Sequence, residues 1–429
     1  MKFHLFANPN FSLFLFRHST SEFGTICLGV AFALYILALT GSAGKFASIL
    51  ALGVIPQILF GPFAGVWADR LDKRKLLCSI DLIYGIFLLS LFFFSLFQPI
   101  KETMIYVAVL FFSVCNLLAV PAYTTLLQHV VKKTELTDAI ALDSTVVESV
   151  RVLAPLIGTL LYTMSGIEAV FLLNAVLSLS SAASTYFMKL PSIPRAPSSS
   201  SIIKELQEGL QIFTTDLRIS SLVLNGLFTH IFLFPFVMIG FPYMIKQVFG
   251  GSDIDFGLVE SAQTMGSVCS IFGVILLKKR FSVSHSIGIG LIGIVAAVFP
   301  LLLLGSHSFL QHLQTSPFAV VLFYSLVSYF LFSMFNIYGV FFRTFYQQTI
   351  ESHMLGRFIS VMVMLFAVGR LIGFQLYGAL FDSIELVYAV FVLGGGMLAK
   401  IFIHIPFLRM EKRRRASCPN STQKMNDGL

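Results

Sequence analysis

The strongest constraint on this chain is a series of long apolar stretches, such as 82–97 and 106–120, almost free of charge. A helix needs about 20 apolar residues to cross a bilayer. Backbone amides find no water there, so only helices and closed barrels span membranes. A barrel reads as short alternating strands, which these unbroken runs are not. The runs predict twelve helices near 11–39, 46–67, 76–98, 103–126, 140–164, 167–188, 219–247, 256–277, 284–305, 317–342, 358–380 and 386–408. The first run reaches Leu39, far beyond a signal-peptide core, and reads as the first span. Composition agrees. The 429 residues are 56% hydrophobic and only 12% charged, too few charges to cover a water-soluble surface.

The formal net charge of +8 raises nucleic acid as a partner. The cations instead sit in clusters between apolar runs, as membrane topology requires. One set of loops holds Arg70, Lys73, Arg74 and Lys75; Lys132 and Lys133; Lys189, Arg195, Lys204 and Arg218; Lys278, Lys279 and Arg280; and Arg343 and Arg357. The opposite loops hold Lys45, Lys101 and Lys246. The asymmetry predicts both termini cytoplasmic and hence an even number of spans; a monomeric, multi-pass protein of the cell membrane is expected. The cysteines, Cys27, Cys78, Cys115, Cys269 and Cys418, lack metal-ligand spacing. They read as small core residues.

The chain divides at its centre. Residues 191–201, Pro-Ser-Ile-Pro-Arg-Ala-Pro followed by four serines, form a linker too proline-rich for helix. Beyond it Ile202, Leu206, Leu210 and Phe213 recur at helical spacing, marking an amphipathic helix on the membrane face. The expected organisation is a six-helix bundle over 1–189, a cytoplasmic linker over 190–217, a second bundle over 218–408 and a basic tail over 409–429. The halves also repeat. Gln128 precedes Arg151 by 23 residues, as Gln347 precedes Arg370. Repeats of this kind in transporters place a substrate between halves that rock about it.

Residues 61–75 read Gly-Pro-Phe-Ala-Gly-Val-Trp-Ala-Asp-Arg-Leu-Asp-Lys-Arg-Lys. This loop resembles the signature of the major facilitator superfamily, matched by Gly65, Asp69, Arg70, Arg74 and Lys75, with Asp72 in place of the usual second glycine. Asp72, Thr40-Gly41-Ser42-Ala43, Asp81-Leu82-Ile83 and Leu355-Gly356-Arg357 are similar to the branch containing macrolide-efflux and enterobactin-export proteins. The resemblance implies an all-α membrane protein of twelve helices in two pseudo-symmetric six-helix bundles. It implies too that the 65–75 cluster latches the halves on the cytoplasmic side in one conformation. In physical terms, Gly61 and Gly65 admit a close helix, and Asp69 can accept from a helix N-terminus and pair with a base. The matching second-half loop, Lys278-Lys279-Arg280, lacks an aspartate.

Ionisable residues inside spans are costly and so point to function. His18 and Glu22 share one face of span one and are candidates for proton coupling; the alternative for Glu22 is a structural pair with Arg17 or His18. Many members of the branch carry an acid just after the span-one glycine, where this chain has Thr25. Glu148 and Arg151, three apart, can pair along span five, and Arg370 needs a partner from another helix, for which Glu260 is the candidate. These four serve as fixed ion pairs or as gates. Asn225, His230, Asn336 and Tyr338 are candidates for lining the substrate cavity, with interhelical hydrogen bonding as the alternative. No phosphate-binding loop, metal cluster or catalytic constellation is evident, so no cofactor is expected. The leading reading is export of a small organic molecule in exchange for protons; drugs, macrolide-like compounds and siderophores are the substrate types. Uptake of a nutrient or siderophore by the same fold, and a membrane-embedded enzyme or structural partner, are the alternatives.

Overall fold

The computed structural model describes residues 3–132, 135–189, 202–383 and 386–417, excepting the side chains of 3, 4, 62, 64–70, 124, 125, 128, 137, 202–206, 214, 215, 352, 353 and 414–417. Its first four spans are α1 (Pro9–Thr40), α2 (Ala43–Arg70), α3 (Lys73–Ser95) and α4 (Glu102–Val130). A continuous helical stretch, Leu136–Phe187, follows, broken at Gly166 by φ 74° and ψ −178°. Only glycine adopts that conformation freely. The break makes two spans, α5 over 136–165 and α6 over 167–187. The second half contains α7 (Leu217–Val248), α8 (Asp253–Arg280), α9 (Val283–Gly305), α10 (Pro317–Thr349), α11 (Ser352–Ser383) and α12 (Leu386–Ser417). All twelve expected spans are present. Most overrun the expected bounds because polar end turns extend past the apolar stretch that betrays a span.

Side-chain caps set several helix starts. Asn8 accepts from the backbone amides of Asn10 and Phe11, with Pro9 at the first helical position. Ser42, Asp72 and Ser252 do the same for α2, α3 and α8. Asp72, where the loop signature has glycine, therefore starts α3. Helix α7 departs from α-geometry, with π-turns over Thr229–Leu233, Phe236–Gly240 and Met244–Val248. Pro235 and Pro242 each remove a backbone donor, which loosens the ladder.

Within the first half α1 packs on the α5–α6 stretch and on α4, α3 on α5–α6, and α2 on α4; within the second, α8 packs on α10, α9 on α10 and α12 on α7. The halves meet along two seams, α2 with α11 and α5 with α8. The linker helix, Ile202–Thr215, packs on α11. Phe213 stacks on Phe358 at 5.1 Å, and Glu208 pairs with Arg357. Because the span number is even, both termini lie at one end of the bundle, called here the termini end.

Candidate functional site

Among the described residues, hydrogen bonds tie the halves together at four places, each at the far end or near mid-bundle. Asp382 of α11 accepts from Ser42 Oγ, the Ala43 amide and the Gly44 amide at 2.5, 2.7 and 2.9 Å. Thr163 donates to Asp253 at 3.2 Å. Gln247 donates to the Leu37 carbonyl at 3.0 Å. Arg370 donates to Gln57 at 2.5 Å, roughly 20 Å along α11 and α2 from their far ends at 1.5 Å per residue. The far ends also interlock sterically: a Cβ on Gly378 would stand 2.6 Å from the Cβ of Ala47, and one on Gly257 would stand 2.7 Å from Thr159 Oγ1.

Helices α1 and α7 touch at the Gln247–Leu37 contact. Glu22 and His230 lie about 22 and 25 Å further along their helices toward the termini end, and so occupy one layer. In that layer the first half presents charge. Arg151 Nη2 approaches Glu22 Oε1 at 2.7 Å and its Nη1 approaches Glu148 Oε1 at 3.2 Å. The side chains of Arg151, Glu148 and Glu22 are 45%, 40% and 25% exposed, so the triad is not sealed inside the protein. It carries one negative charge in excess. In the second half His230 stacks on Phe366 at 4.6 Å and on Phe234 at 5.4 Å, and Phe234 lies 6.1 Å from Phe335. Asn336, one residue on, ties its amide to the Phe332 carbonyl at 3.0 Å.

Several sequence expectations need correction. Glu22 pairs with neither His18 nor Arg17. His18 turns to Asp143, Nδ1 to Oδ1 at 2.8 Å, against the Tyr123 ring. Arg17 donates from Nε and Nη2 to Asp81 Oδ2 and Oδ1 at 2.9 and 3.0 Å, a two-pronged pair only 3% and 8% exposed. Beside it a cavity of about 20 Å³, lined by Ser21, Asn116 and Asn174 among others, has room for one water. Glu260 does not meet Arg370, whose partner is Gln57. Asn225 and Tyr338 are packed inside the second bundle: Asn225 donates to the Lys400 carbonyl at 2.8 Å, and Tyr338 stacks on Phe342.

Of the loop cluster, Gly65, Asp69 and Arg70 lie in α2 and their side chains are outside the described residues. Arg74 donates to the carbonyls of Thr185, at 3.1 Å, and Tyr186, fixing the start of α3 to the end of α6. A cation suits those unpaired terminal carbonyls. Lys75 is exposed.

The sequence reading passed over Lys400 and His404. Lys400 is completely buried and donates to Thr229 Oγ1 at 2.5 Å, with its ammonium 5.7 Å from the Tyr338 ring. His404, one turn on, is 3% exposed, and neither ring nitrogen has a partner. The available signal was two bases at i, i+4 inside an apolar run. Among the described residues no group of three or more His, Cys, Asp or Glu is placed to hold a metal ion.

Two six-helix halves, joined by a linker and meeting along two seams around a layer of charge and aromatic rings, form the class of fold known from secondary transporters. The sequence pattern described as Major Facilitator Superfamily matches residues 15–374, and the chain belongs to that superfamily. It is 22% identical over 243 residues to macrolide efflux protein A of Streptococcus pyogenes, a match covering 56% of this chain and 59% of that protein. The chain therefore spans somewhat over half the length of that relative. The fold is similar to a bacterial homologue of the iron transporter ferroportin in an inward-facing state, with a TM-score of 0.71, 14% identity and coverage of 93% and 98% of the two chains. It is also similar to the nucleoside transporter NupG, at 0.67, 16%, 93% and 99%. At such identities the structural likenesses establish the fold alone.

Proposed function

We propose that this transporter exports small amphipathic organic cations in exchange for protons, by alternating access across a cell membrane with its termini in the cytoplasm. The carrying observation is the triad of Glu22, Arg151 and Glu148, in which two carboxylates share one guanidinium. Its excess negative charge calls for a counter-charge. A proton supplies it in one state and a substrate ammonium in the other, so the two exchange. The aromatic groups His230, Phe234, Phe335 and Phe366, in the same layer of the opposite half, suit the apolar body of such a substrate. In this reading the contacts at the far end belong to the state open toward the cytoplasm. Closure there is assigned to the alternate state and to the 65–75 loop, with Asp69 as its latch.

The similarity to macrolide efflux protein A supports a substrate that joins a large apolar ring to a basic amine. In everted vesicles, whose bath-facing surface carries the termini, an acid interior is expected to drive accumulation of radiolabelled erythromycin or another amphipathic amine from a panel. Accumulation of no panel member in everted vesicles, with uptake in right-side-out ones, refutes export.

A further inference from the structure

Helix α11 ends Gly378-Ala379-Leu380-Phe381-Asp382-Ser383, and α2 ends Gly65-Val66-Trp67-Ala68-Asp69-Arg70. Each has a carboxylate at its penultimate position, four residues after a glycine. The two helices are antiparallel neighbours from opposite halves. The C-terminus of α11 is thus next to the N-terminus of α2 at the far end, while the C-terminus of α2 and the N-terminus of α11 both lie toward the termini end.

At the far end this geometry is occupied. Asp382 Oδ1 accepts from the Ala43 amide, and Oδ2 accepts from the Gly44 amide and the Ser42 hydroxyl. The two amides are first-turn donors that α2 itself cannot satisfy, and the hydroxyl belongs to its N-cap residue. The glycines permit the approach. A Cβ at Gly44 would stand 2.6 Å from Asp382 Oδ2, and one at Gly378 would stand 3.1 Å from the Cα of Gly44. An anion at the C-terminus of α11 is unfavourable for α11 itself, because the helix dipole is negative there. Its gain comes from the positive N-terminus of α2.

We propose that Asp382 is the outer-gate residue of the transport cycle, the counterpart of Asp69 at the inner gate. While the cavity opens to the cytoplasm, the Asp382 carboxylate caps α2 and holds the far ends together. When the cavity opens outward the cap is released, and the same Gly-x-x-x-Asp arrangement closes at the other end of the α2–α11 seam. The proposal rests on the alternating-access reading above.

Spin labels at Lys101→Cys and Ser306→Cys, in a background with the native cysteines replaced, report the far-end separation of the halves without any substrate. Asp382→Asn is expected to raise the ratio of long to short distances about tenfold, the scale of one charge-assisted contact. Gly44→Ala keeps the acid but displaces it with a methyl group, and should act in the same direction. Asp69→Asn should shift the ratio the opposite way, and the double variant should return toward wild type. Wild-type distances in Gly44→Ala, together with wild-type distances or misfolding in Asp382→Asn, overturn the proposal. Because no substrate is involved, that failure is separate from any failure of the export assay.

Discussion

The two halves share a fold and treat buried charge in opposite ways. In the first half, among the described residues, the charged side chains near the middle of the bundle are partnered: Arg17 with Asp81, Arg151 with two glutamates, and Asp143 with the His18 ring. In the second half, among the described residues, Lys400 has a hydroxyl and a ring face, Arg370 has an amide, and His230 and His404 keep ring nitrogens without partners. Burying an unpaired charge is costly, and breaking an existing pair is costlier than never having made one. The first half is therefore tied together by ion pairs across its helices. Its part-exposed triad holds two acids to one base.

The comparison is most sharply broken at Asp81. Asp81→Asn leaves Arg17 buried without an anion, and a loss of about 3–5 kcal/mol is expected. Thermal unfolding of the purified protein should register it as a large fall in Tm or failure to accumulate. Arg17→Met combined with Asp81→Leu should recover most of the loss, since neither charge then remains. If Asp81→Asn unfolds like wild type, the pair is not holding α1 to α3.

Lys400 should behave in the opposite way. Among the described residues no carboxylate pairs with it, so Lys400→Met removes a buried amine without stranding an acid. The expected change in stability is within about 1 kcal/mol and on the stabilising side, by analogy with apolar replacement of buried ions. The same unfolding experiment checks it. A fall in Tm as large as that of Asp81→Asn would mean that Lys400 has an anion in the folded protein, and the contrast between the halves would fail.

How far the sequence foretold this arrangement depends on distance along the chain. The twelve spans were legible because bilayer thickness imposes a length on each apolar run. Glu148 with Arg151 was legible because three residues is nearly one helical turn. Glu22 with Arg151, Arg17 with Asp81 and His18 with Asp143 were not, since partners 129, 64 and 125 residues apart depend on how each helix is rotated against its neighbour. Arg370 shows the same limit: its repeat position was visible, but its partner Gln57, 313 residues away, was not. Asn225 and Tyr338 were misplaced because a polar residue on a span can face either the cavity or its own bundle. The break at Gly166 was legible as well: the expected spans end at 164 and restart at 167, where Thr163, Ser165 and Glu168 interrupt the apolar run. Asp382 could have been found by aligning Gly-x-x-x-Asp at the ends of α2 and α11.

The smallest expected effect on stability falls on the residue with the largest expected role. Glu22 is part exposed and shares Arg151 with Glu148, so Glu22→Gln should cost no more than about 1 kcal/mol. It also removes the surplus charge on which proton exchange depends in this account. In proteoliposomes, the Glu22→Gln protein is expected to lose accumulation driven by a pH gradient while exchange of labelled for unlabelled substrate, with no gradient, continues. Gradient-driven accumulation at the wild-type rate in that variant would contradict the central claim.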